Sequence, residues 1–294
     1  MTPDDLCSTL SAESGEPLTA TAPTAAAYLL LEQPGPWGRK APSTSHLDRP
    51  LGAELDARAK AAGVTLLLVR RPGRHPDNHP KRRAVLVAHT LAGRLERGEL
   101  EDPADLLDLD FTALAAGGDV GIGPCPDGPV TLVCTNARRD RCCAITGRPL
   151  VEALASVDQV GELWESAHIG GHRFAPTVLL LPSGVTLGRT KPAHVLEALQ
   201  GRLPLDAYRG RAGLDRVAQA AETYVLRQLD HPTRLQVGGR EGAGPWQVTV
   251  RDNDGHVWRV DVERQSGGVR PESCGREPDP AESFVAVGAT SVGR

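Results

Sequence analysis

Apolar residues along this chain fall into short uninterrupted runs between Gly/Pro-rich stretches, with helical periodicity filling several of the intervals. Runs rich in Val and Leu and bounded by turn residues predict buried strands. The first covers residues 26–31 and closes at Pro34-Gly35-Pro36. A helix follows at 51–62, stopped by Gly63, then strands at 64–69 and 84–88, with 91–100 as the hairpin partner of the latter. Asp102 and Pro103 open a helix through Ala115, the acid as cap and the proline at a position whose N–H has no helical partner anyway.

The same order then recurs. A strand at 130–134 is followed by a helix at about 143–156, a strand at 162–165, and a strand at 177–181 that Pro182-Ser183-Gly184 turns into 185–187. A helix starts at Pro192 and runs to about Leu199. Each half reads βαββα, the core order of a thioredoxin-like unit, which suggests a tandem duplication. Beyond residue 206 the pattern changes to a helix at 213–229 and alternating strands at 233–237, 246–251 and 257–262, with Asp252-Asn253-Asp254-Gly255 as a hairpin turn. The expected fold class is therefore α/β, with tandem thioredoxin-like units (βαββα twice) and a small C-terminal α+β region. Residues 1–22, polar and aperiodic, read as a disordered terminus; 23–120 as a degenerate thioredoxin-like unit; 121–205 as the unit with chemistry; 206–294 as the α+β region ending in a loop and tail.

A length of 294 residues is enough for more than one buried core. With a formal net charge of -4 and only 3% aromatics, the chain lacks the basic surface and stacking platforms of a general nucleic-acid binder. The first residues carry no basic, apolar leader and no run approaches a membrane span, so a cytoplasmic protein is expected. Six cysteines in such a chain do not make a secreted disulfide framework; clustered thiols in a reducing compartment point to metal or redox work.

The clustering is at Cys134-Thr-Asn-Ala-Arg-Arg-Asp-Arg-Cys142-Cys143, directly after the strand at 130–134, with His168-Ile-Gly-Gly-His172 downstream. The loop from Cys134 to Cys143 leaves a strand end and returns at a helix start, so both sulfurs can reach one centre. Gly170-Gly171 disfavours a helix and places the two imidazoles on a tight loop. Two thiols and two imidazoles suit zinc, which composition alone favours, although this loop is longer than the usual Cys-x2-4-Cys zinc spacing. Arg138, Arg139, Arg141 and Arg173 flank the four. His75 and His79 form a second His-x3-His pair before residues 84–87, but with no thiol between residues 26 and 63 they read as part of a solvated basic loop with Arg70, Arg71, Arg74, Lys81, Arg82 and Arg83. Cys7, Cys125 and Cys274 read as thiols without a role.

Cys134-Thr135-Asn136, Arg139-Asp140-Arg141-Cys142-Cys143 and His168-Ile-Gly-Gly-His172-Arg173-Phe174-Ala175 together resemble the sucrase/ferredoxin-like proteins. That resemblance implies a thioredoxin-like ferredoxin domain in which Cys134, Cys143, His168 and His172 hold a [2Fe-2S] cluster. It further implies an electron carrier rather than an enzyme with its own substrate, working with a redox partner protein; the flanking Arg138, Arg139, Arg141 and Arg173 would attract a partner acidic at its docking surface. Two readings from other classes stand beside it: a zinc-stapled interaction protein, and a thiol oxidoreductase using Cys142 or Cys143 at a helix start, where thiol pKa values fall. No Cys-x-x-Cys supports the last.

Overall fold

The computed structural model describes residues 6–74 and 79–293. Its elements in chain order begin with helix α1 (Cys7–Glu13), strand β1 (Ala27–Glu32), a single turn α2 (Ala41–Thr44), α3 (Arg49–Ala61), and strands β2 (Val64–Arg70), β3 (Arg83–His89) and β4 (Arg94–Leu100). After a 3-10 turn comes α4 (Phe111–Ala115), then β5 (Val130–Cys134), α5 (Arg141–Leu154), β6 (Glu162–Ser166), β7 (Val178–Leu181), β8 (Val185–Leu187) and α6 (Pro192–Leu199). The C-terminal part holds β9 (Tyr208–Arg211), α7 (Arg216–Leu226), β10 (Gln236–Glu241), β11 (Trp246–Arg251), β12 (Val257–Arg270) and β13 (Asp279–Gly293).

Nine strands form one sheet in the order β4-β3-β1-β2-β6-β5-β7-β8-β9. Counted outward from its middle, the sheet reads β2-β1-β3-β4 in one direction and β6-β5-β7-β8 in the other. In each half the first two strands are parallel, as β1 with β2 and β5 with β6, and the others antiparallel. Each half thus has four strands in the order βαβββα, one more than the expected βαββα, and the two halves share one topology. The halves are not separate bodies, because β2 and β6 pair antiparallel through Val69↔Ser166 and Arg70↔Glu165. At that seam Arg70 meets Glu165 at 2.7 Å and lies 4.6 Å from the Trp37 ring centre. Central strands carry unbroken apolar runs because helices or loops cover both faces; every residue of β5 and of β7 is buried.

A second sheet, β10-β11-β12-β13, packs through Val248, Val250, Val260 and Val262 against Val217, Ala220, Ala221 and Val225 of α7. Behind α7 a fully buried ion pair joins Arg211 to Glu222, and Tyr208 donates to the same carboxylate at 2.8 Å. Among the described residues no helix is long and apolar enough to cross a membrane.

Three sequence expectations need correction. Residues 7–13 are helical, and Glu16, polar in sequence, is buried where it accepts from Ser11 at 2.6 Å and pairs with Arg173 and Arg270. Composition marks this segment as disordered because its charge partners lie far along the chain. The helix expected over 102–115 is broken: a 3-10 turn spans Pro103–Asp108, and Asp110 caps a new helix by accepting from Ala113 N–H. The loop around 273–275 is present, but a strand and not a tail follows it: β13 pairs with β12 from Val257↔Gly293 to Arg270↔Asp279, with its partly buried Phe284 and Ala286 packed against the α7 core.

Candidate metal centre

Cys134 ends β5 and Cys143 is the third residue of α5, so the strand delivers one sulfur and the first helical turn the other. Asp140 caps that helix, its Oδ1 accepting from Cys142 N–H at 3.0 Å. Close packing of α5 on the strand end requires Gly147, because a Cβ there would overlap the Cys134 carbonyl oxygen. Thr135 continues the strand and donates to Glu165 at 2.5 Å, which ties the loop to the seam between the two halves.

Cys134 and Cys143, both about 1% exposed, hydrogen bond to each other. The bond from Cys143 holds the Cys134 thiol well below its usual pKa; burial opposes this, and His168 and the Ile169 N–H add to the lowering. Cys143 is pushed up in turn, first by that same bond and then by burial. A thiol lowered in this way suits a thiolate metal ligand.

His168 and His172 are held by the Gly170-Gly171 loop, where both glycines have positive φ, +102° and +69°. A side chain at Gly171 would run into the guanidinium of Arg209. Arg209 is the positioning residue that sequence reading missed. It is 1% exposed, donates to Gly170 O at 3.0 Å and to Thr21 Oγ1 at 3.1 Å, and lies 5.0 Å from the Phe174 ring centre. Burial, followed by the Arg173 charge, lowers its pKa to about 9. Nothing local in Tyr208-Arg209-Gly210 signals this role, since the contact joins β9 to a loop distant in sequence.

The imidazole rings lie 5.6 Å apart, and the Nδ1 atom of each is buried without a hydrogen-bond partner. His172 Nε2 faces Asp140 Oδ2 at 3.6 Å; burial lowers its pKa more than Asp140 raises it. Buried ring nitrogens left bare are costly unless something ligates them. The four expected ligands thus come to one place as a thiol pair and an imidazole pair that meet where His168 hydrogen bonds to Cys134. Among the described residues their ligand atoms do not all fall within 4.8 Å of one another, as those around a single four-coordinate ion would.

Each histidine opens on a cavity. One of about 600 Å³ is lined by Arg39, Lys40, Asn136, Arg139 and His168. Another of about 320 Å³ is lined by Arg39, Arg139, His172 and Arg276 together with Glu272 and Asp279. Of the flanking arginines, Arg138 and Arg141 are exposed, whereas Arg173 turns inward to Glu16. His75 lies outside the described residues, and the exposed His79 packs edge-on against His46 at 5.9 Å. The basic loop is less solvated than expected: Arg70 pairs with Glu165, Arg71 with Glu162, and Arg83 is buried against Gln33. Cys125 is exposed; Cys142 points away from the four ligands, toward Cys7 and Cys274.

A family model described as sucrase/ferredoxin-like matches residues 18–203, more than half of the chain and all four expected ligands. No curated protein and no solved structure matches.

Proposed function

The chain belongs to the sucrase/ferredoxin-like family, and from that premise we propose that it is a cytoplasmic electron-transfer protein carrying a [2Fe-2S] cluster on Cys134, Cys143, His168 and His172. The observation that carries this reading is the division of the donors into a thiol pair and an imidazole pair with two bare, buried Nδ1 atoms. Such a division suits a centre with two metal positions better than one tetrahedral zinc ion. When bound, the cluster supplies one-electron chemistry at a potential above that of an all-thiolate centre, because neutral imidazoles remove negative charge.

The chain's own residues do the rest. Strand β5 and the first turn of α5 fix the sulfurs in a dry environment, while the Gly170-Gly171 loop, held by Arg209, sets the imidazoles at the protein's edge. Arg39, Lys40 and Arg139 give the cavity beside His168 a basic rim suited to a redox partner with an acidic docking surface. A thiol oxidoreductase using Cys142 fits poorly, since that sulfur is fully buried at 0% exposure and a substrate disulfide cannot reach it.

The test is the visible spectrum of freshly purified protein, with iron and acid-labile sulfide determined on the same sample. Brown protein with equal iron and sulfide, bleached by dithionite, is expected. Colourless protein after anaerobic reconstitution, with zinc on Cys134 and Cys143, would overturn the reading.

A further inference from the structure

Cys7, Cys142 and Cys274 are scattered over almost the whole sequence, yet their sulfurs meet. Cys7 opens α1, Cys142 is the second residue of α5, and Cys274 lies in the turn between β12 and β13. The three Sγ–Sγ separations are 3.4 Å for Cys7–Cys142, 3.1 Å for Cys142–Cys274 and 3.6 Å for Cys274–Cys7. The Asp140 carboxylate stands over this triangle, with Oδ1 and Oδ2 at 3.8 Å and 3.9 Å from Cys7 Sγ. All four ligand atoms lie within 4.8 Å of one another. Cys7 and Cys142 are at 0% exposure and Asp140 at 5%.

From this convergence we propose a second metal site, a mononuclear centre of zinc type with Cys7, Cys142 and Cys274 as thiolate ligands and Asp140 as the fourth. A tetrahedral ion with Zn–S bonds of about 2.3 Å sets its sulfurs about 3.8 Å apart. The observed triangle reaches that size by opening about 0.2 Å on its longest side and about 0.7 Å on its shortest, Cys142–Cys274. The sulfurs are too close together to serve separate irons of a cluster, and a disulfide would use two of them and leave the third without purpose. Asp140 Oδ1 accepts one N–H from Cys142 and Oδ2 one from Cys274, so each oxygen keeps a lone pair for a metal. Cys7 N–H points at Cys274 Sγ from 3.5 Å, as backbone donors do toward metal-bound thiolates. Binding exchanges thiol protons for the cation and involves no change in oxidation state. The ion would staple the N-terminal helix and the β12–β13 turn to the first turn of α5. This site shares no ligand with the proposed cluster and does not depend on it.

The experiment uses the full-length chain, equilibrated with zinc sulfate and freed of loose metal by a mild chelator, with zinc, iron and acid-labile sulfide measured on one sample. One zinc per chain is expected, with X-ray absorption at the zinc edge showing three sulfur ligands and one oxygen. The Cys7→Ser/Cys274→Ser double variant should lose that zinc and keep its iron and sulfide. Zinc absent from the wild-type chain, retained by the double variant, or bound by two sulfurs and two nitrogens would overturn the proposal. So would a peptide map showing a Cys142–Cys274 disulfide in protein prepared anaerobically. Should the variant fail to fold, maleimide labelling of the wild-type chain decides. Zinc is expected to slow labelling of Cys7, Cys142 and Cys274 by about tenfold or more, as tight binding to the folded state requires, while exposed Cys125 reacts equally in both samples; equal labelling of the three would overturn it.

Discussion

Gly147→Ala sets two effects of opposite sign against each other. Gly147 lies inside α5, where replacing glycine by alanine ordinarily stabilises a helix by about 1 kcal/mol. Here the added Cβ would overlap the Cys134 carbonyl oxygen, while Cys134 C and Thr135 Cγ2 stand at 3.4 Å. Restoring an ordinary C···O separation of about 3.3 Å drives the helix and the strand end apart by about 1 Å. The obstacle is backbone on both sides, so no side chain can swing away. Overpacking of this kind costs about 1–3 kcal/mol, leaving a net loss of up to about 2 kcal/mol after the helix gain is subtracted. The same shift separates Cys143 from Cys134, and ligand sets tolerate only about 0.5 Å. Guanidinium unfolding of the purified variant, with its iron and sulfide content, reads both effects. The expected outcome is a lower midpoint together with, on the proposed cluster reading, loss of most of the iron. A variant more stable by about 1 kcal/mol with full iron would refute the claim that Gly147 fixes the site.

Other parts of the molecule yield sharper single outcomes. Arg211→Ala leaves Glu222, at 0% exposure, as an uncompensated buried charge and should cost about 3–5 kcal/mol in chemical denaturation; a loss under about 1 kcal/mol would contradict the pairing. Burial would raise the Asp252 carboxyl, but the His256 ring, its N–H and its charge outweigh this and lower the pKa. A carboxyl lowered on folding gives stability that is present above the unfolded value of about 3.9 and lost as pH falls through the lower folded value. Unfolding followed from pH 6 downward should therefore show Asp252→Asn flattening the acid limb, and an unchanged limb would show that the turn contributes nothing there. If the cluster reading is right, the wild-type midpoint potential falls by up to about 59 mV per pH unit where an imidazole N–H titrates. His172→Cys should lower the potential and flatten that slope in a redox titration, and an unaltered slope would take His172 out of the ligand set.

Most strands were readable because apolar runs bounded by Gly and Pro leave few alternatives, and the recurrence of one order in both halves needed only their sequence. The pairing of β2 with β6 was not readable. It rests on two residue pairs and on Arg70 reaching Glu165, and Arg70 reads in sequence as one more charge in a basic loop. Arg209 was hidden for a similar reason: its partners Thr21 and Gly170 share no local pattern with it. The N-terminal helix was missed because composition reports whether a segment can bury itself, not whether Arg173 and Arg270 will be waiting for Glu16.

The adjacent cysteines show how one local rule, joined to distant chain, changes the reading of a motif. Neighbouring residues in an α-helix point about 100° apart, so Cys142 and Cys143 cannot both face Cys134. Cys143 turns to Cys134, and Cys142 turns to Cys7 and Cys274, whose positions only the folded chain reveals. Asp140 stands between the two directions, capping the helix through Cys142 N–H, accepting from Cys274 N–H and facing His172 at 3.6 Å. One helical turn therefore serves both proposed groups of ligands, and a change at Asp140 should be felt in both. Asp140→Asn keeps the cap acceptor but loses the charge, so a fall in zinc retention with little loss of stability would separate the carboxylate's part in the thiol site from its part in the helix. Equal losses of about 1 kcal/mol in Asp140→Asn and Asp140→Ala would instead reduce the residue to its negative charge at the helix start.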